Sequence, residues 1–178
     1  ILSGSDDTQL RVWCTQTLRL LAVVETGHHR NIFGAKFVPH TNNSRAVSCG
    51  ADGEIRLSCV DLGSKAGGEG DLLDSGLLSA QGPTLLHDTS TLALKLAFLP
   101  DCPTAFLGTS QDGCLRLYDL RQQSVSSASV PFLQLGQISA PTDICFNPVD
   151  CRSFAMAAED PLVRVYDIRR PPPLHPLL

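Results

Sequence analysis

A sixteen-residue pattern occurs twice in this chain, and a fold must accommodate both copies in equivalent places. It runs from Phe106 to Arg121 and returns from Phe154 to Arg169. Each copy has a run of apolar and small residues, a tight turn built on an aspartate, an alternating apolar stretch carrying one arginine, and then Tyr-Asp-x-Arg. Two less regular copies lie upstream, from Ile1 to Cys14 and from Ala46 to Cys59. In all four an aspartate precedes an arginine by four residues: Asp7 and Arg11, Asp52 and Arg56, Asp112 and Arg116, Asp160 and Arg164.

The four arginines are separated by 45, 60 and 48 residues. A period near 40 to 45 residues suits four short strands per unit, the repeat of a β-propeller blade. Composition agrees. The 178 residues are 43% hydrophobic and 18% charged, which is core-forming material. The apolar runs are too short to span a bilayer: Leu18 to Val24, among the longest, is interrupted by Arg19. No membrane association is expected, and no signal-peptide pattern opens the chain. It starts inside a repeat without a methionine, so the expectation is a fragment, with localisation signals perhaps cut away. A net charge of −4 gives no reason to expect direct nucleic-acid binding. Seven cysteines, at 14, 49, 59, 102, 114, 145 and 151, form no Cys-x-x-Cys pair or zinc-like cluster, so they read as reduced small hydrophobes. That favours a nuclear or cytoplasmic location. No metal or cofactor is expected.

Taken in order, residues 1–26 read as the C-terminal part of a blade. Residues 27–82 form a second unit, with six glycines and two Leu-Leu pairs in an insertion at 61–82 that accounts for the 60-residue spacing. Its Gly67-Gly68-Glu69-Gly70 run lacks a following Lys-Ser/Thr, which argues against a phosphate cradle. A third unit covers 83–137, with a Ser- and Gln-rich connector at 121–129. A fourth covers 138–170, and residues 171–178 are a Pro-rich exit segment. Phe37-Val38-Pro39, Phe98-Leu99-Pro100 and Phe146-Asn147-Pro148 close the first strand of three units, the proline ending the strand because it has no donor.

Gly27-His28, the aspartate turns and the Tyr-Asp pairs resemble the WD40 repeat, with Cys14 and Ser58-Cys59 departing from its Trp-Asp pair. The resemblance implies an all-β WD40 propeller, of which about three and a half blades of a usual seven are present. It also implies a hydrogen-bonded network of His28, Ser48 and Asp52, with His87 and Asp112 the matching pair in the next unit at almost the same separation. In the fourth unit Asp160 has no histidine before its first strand, so that network is incomplete. Ser48, His28 and Asp52 are also the residue types of a hydrolase triad. No nucleophile elbow surrounds Ser48, and the pattern recurs, so the expectation is that the chain is not an enzyme.

The paired sixteen-residue stretches are similar to the WDxR box of the DCAF substrate receptors of cullin-four RING ubiquitin ligases, with tyrosine in place of tryptophan. Together with the segment from Gly27 to Pro39 they are most similar to branch eight of that group. The resemblance implies that Asp119 with Arg121, and Asp167 with Arg169, face the propeller adaptor of the ligase while another surface holds an unknown substrate protein. The alternative is a general WD40 scaffold, or a binder of histone or peptide tails, whose arginines merely decorate the blade.

Overall fold

The computed structural model describes residues 1–62, 82–121, 131–134 and 140–170. Most of the insertion at 61–82, nearly all of the 121–129 connector and the 171–178 exit segment lie outside the described residues.

Fourteen strands form four antiparallel sheets, and the described residues include no helix. The first sheet holds β1 (Leu2–Gly4), β2 (Gln9–Trp13) and β3 (Leu20–Glu25) in chain order. The second holds β4 (Ile32–Phe37), β5 (Arg45–Gly50), β6 (Glu54–Cys59) and β7 (Thr84–Asp88). The third holds β8 (Ala93–Leu99), β9 (Cys102–Ser110), β10 (Cys114–Asp119) and β11 (Pro131–Gln134). The fourth holds β12 (Pro141–Phe146), β13 (Ser153–Ala158) and β14 (Val163–Asp167). β1 packs on β4, β4 on β8 and β8 on β12, so the sheets follow one another as the blades of a partial propeller.

The apolar core lies between blades. Leu10, Val24, Ile32 and Ala46 join the first two; Cys49, Ile55, Leu96 and Phe106 join the next pair; Leu107, Ile144, Phe154 and Met156 join the last two. A blade is therefore covered on both faces, which is why β5 reads as a continuous small and apolar run and is buried from Ala46 to Gly50.

Each inner strand carries a register shift at the same place, between Ile32 and Gly34, Ala93 and Lys95, and Pro141 and Asp143. All three shifts lie five to three residues before the phenylalanine of the Phe-x-Pro signal. Bulges of this kind bend a strand and increase its twist. At Gly34 a Cβ would stand 2.9 Å from Cys49 Sγ and 3.3 Å from Leu94 O on the next blade, so the bend also brings two backbones close.

Candidate functional site

The aspartate turns join the middle strands of each blade. In the second blade the carboxylate of Asp52 lies 2.9 Å from His28 Nδ1, and His28 Nε2 lies 2.9 Å from Ser48 Oγ. The backbone N–H groups of His29 and Glu54 donate to the same carboxylate at 3.0 and 3.1 Å. Burial pushes the Asp52 carboxyl up, but the hydrogen bonds from His28 and these two amides outweigh it and hold it below its usual value. The side chain of His28 is fully buried and Ser48 is 0% exposed. A nucleophile there is out of reach of a substrate, so the geometry of a triad serves as a clamp: it ties the segment before β4 to β5 and to the turn after it.

With Asp52 so engaged, Arg56 turns to Glu54, its Nε donating at 2.5 Å, and His29 Nε2 stands 3.3 Å from the other oxygen of Glu54. His28, Asp52 and Glu54 bring ligand-type atoms within 4.8 Å of one another. Both ring nitrogens of His28 and the Glu54 carboxylate are taken by these bonds, so the cluster is a hydrogen-bonded network rather than an open coordination site.

In the other blades the arginine takes the aspartate. Arg11 pairs with Asp7 at 2.5 Å, Arg164 with Asp160 at 2.5 and 2.8 Å, and Arg116 with Asp112 at 2.5 Å. Arg116 also donates to Ser110 Oγ, which donates to Asp112. Burial raises the Asp112 carboxyl, but the bonds from Arg116, Ser110 and the Cys114 amide outweigh it and hold it at about 2.

One expectation is corrected. His87 does not stand in the position of His28. It lies on β7, paired with Ile55 of β6, with its ring 5.3 Å from Tyr118. Counted from the conserved bulge rather than from the aspartate turn, the position of His28 falls on Thr89. Thr89 Oγ1 donates to the carbonyl oxygen of Gly53 at 2.9 Å, tying the second blade's turn to the third blade. Thr89, Ser110 and Glu54 were not anticipated. Glu54 was legible: residues two apart in a strand share a face, so Glu54 and Arg56 had to meet.

Asp119 and Asp167 end β10 and β14. Arg121 folds back on Asp119, with Nε at 3.0 Å and Nη2 at 2.6 Å, and its backbone N–H donates to the same carboxylate at 3.0 Å. Arg169 repeats this on Asp167, with Nε at 3.1 Å, Nη2 at 2.7 Å and the backbone N–H at 2.9 Å. The arginine hydrogen bonds hold both carboxyls below the usual carboxylate range. The two guanidinium side chains remain 72% and 58% exposed. Each is therefore a cation presented at the surface in a fixed orientation, at the same place in successive blades. A planar fork held in this way loses little freedom when it meets a carboxylate or carbonyl on a partner.

No family model matches the chain. It is 30% identical over 171 residues to human WD and tetratricopeptide repeats protein 1, covering 95% of this chain and 23% of that protein. It is 33% identical over 176 residues to WD repeat protein iqw1 of Schizosaccharomyces pombe, covering 95% and 21%. It is 29% identical over 171 residues to human DDB1- and CUL4-associated factor 6, covering 95% and 18%. The chain thus spans about a fifth of the length of these relatives.

Proposed function

This chain belongs to the WD-repeat proteins and is a protein-interaction module, and from that premise we propose that it is part of a substrate receptor of a cullin-RING ubiquitin ligase. The observation that carries this reading is the pair of buttressed forks, Asp119 with Arg121 and Asp167 with Arg169, repeated at the ends of β10 and β14. A relative whose name associates it with DDB1 and CUL4 supports the same reading. The forks dock on the propeller adaptor. The chain positions a target protein and carries out no covalent step, ubiquitin transfer belonging to other subunits. Ser48, the residue that could suggest hydrolysis, is closed off inside its clamp. The free cysteines agree with a reducing nuclear or cytoplasmic setting.

The test is capture of the adaptor from cell extract by the full-length parent protein, compared with an Arg121→Ala/Arg169→Ala variant. Capture by the wild type and loss in the double variant, with the thermal midpoint unchanged, is the expected outcome. If the wild type captures no adaptor, the forks are surface decoration and the chain is a WD40 scaffold of another kind.

A further inference from the structure

Two residues beyond each clamp arginine, the four blades carry Trp13, Ser58, Tyr118 and Tyr166. Three are aromatic and one is not. In the third blade Tyr118 lies opposite Phe106 in the β9–β10 ladder and stacks on it with ring centroids 5.1 Å apart. In the fourth blade Tyr166 lies opposite Phe154 in the same way, at 5.5 Å. In the second blade the matching pair is Ser58 opposite Ala46. Both rings have been replaced by small side chains.

The space this leaves can be located. Tyr118 reaches the preceding blade, where its ring lies 5.3 Å from His87 on the outer strand β7. His87 pairs with Ile55, and in the first blade Val24 pairs with Leu10; each partner directly precedes its clamp arginine. Val24 therefore holds the position of His87. Where an aromatic ring at position 58 would meet Val24, a cleft of about 210 Å³ is lined by Val23, Val24, Glu25, Ser58, Cys59 and Pro83. Val23 is 48% exposed, so the cleft reaches solvent, whereas Ser58 is 2% exposed. Among the described residues the Ser58 hydroxyl has no hydrogen-bond partner.

We propose that this cleft receives the indole side chain of a tryptophan on a bound polypeptide. A cavity of about 150 Å³ accepts benzene, and this larger one suits a bicyclic ring. Val23, Val24 and Pro83 supply apolar walls. An indole N–H satisfies the buried hydroxyl that the cleft leaves unpaired, as Trp13 Nε1 donates to Ser3 Oγ at 2.9 Å in the first blade. The guest restores from another molecule the interblade aromatic that the second blade lacks. The site is separate from the Arg121 and Arg169 forks and does not depend on the ligase reading.

The probe is 5-fluoro-N-acetyltryptophanamide, followed by its fluorine resonance against the intact chain. Saturable binding with a Kd of about 1 mM, contacts from the indole ring to the Val23 and Val24 methyl groups, and no displacement by N-acetylleucinamide are expected. Ser58→Trp fills the cleft and abolishes binding, while Arg121→Ala/Arg169→Ala leaves it unchanged. Absence of saturation, equal competition by the leucine amide, or contacts mapping elsewhere on the wild-type chain would each overturn the proposal, and these readings hold even if Ser58→Trp does not fold.

Discussion

Asp7, Asp52, Asp112 and Asp160 occupy equivalent turns, yet their carboxylates serve two kinds of partner. Three meet the arginine four residues on, and Asp52 meets a histidine 24 residues upstream. Removing His28 leaves Ser48 and Asp52 buried and short of a partner. His28→Ala is expected to cost about 3 kcal/mol in a denaturant titration. Arg11→Ala breaks only a part-exposed ion pair and should cost less than about 1 kcal/mol. Asp112 adds a dependence on acid. Its carboxyl is depressed from 3.8 to about 2, so its contribution is complete above its unfolded value and is lost as pH falls through the folded one. The urea midpoint should fall between about pH 4 and pH 2, and Asp112→Asn should flatten that part of the profile. The Asp-to-Arg spacing was legible in the sequence because it recurs. Which partner takes the carboxylate was not, because that depends on whether the segment before the inner strand delivers a histidine, and counting from the turn placed His87 two residues early.

Strands, turns and stops were legible from Phe-x-Pro, the aspartate turns and the period, since each has a local chemical cause. The bulge shared by β4, β8 and β12 was not, because it is set by contact between blades. Glycine substitutions separate these influences. At Gly53, φ is +81° and a Cβ would stand 2.6 Å from Thr91 O, and at Gly34 it would meet Cys49. Alanine at either position is expected to destabilise by about 1–3 kcal/mol. At Gly82, where nothing lies within 4 Å, the change should stay within about 0.5 kcal/mol, as thermal melts can check. The Ser58 substitution was visible as a lost Trp-Asp pair, but the cleft beside it was not, because β3 of another blade forms its far wall.

Across the whole molecule, β14 pairs only with β13 among the described residues and shows Val163 at 71% and Val165 at 70% exposure. An apolar edge of this kind invites strand addition. Sedimentation of this chain should reveal concentration-dependent association, reduced by Val163→Lys/Val165→Lys. The clamps described above also bear on the order in which the blades assemble. Three of them close across four residues inside one hairpin, and a loop of that size forms early because little chain entropy opposes it. The His28 clamp must wait for a segment 24 residues away and for β4 to arrive. Hydrogen exchange during refolding should therefore protect the β9–β10 hairpin before the β4–β5 ladder, leaving the second blade the last to lock.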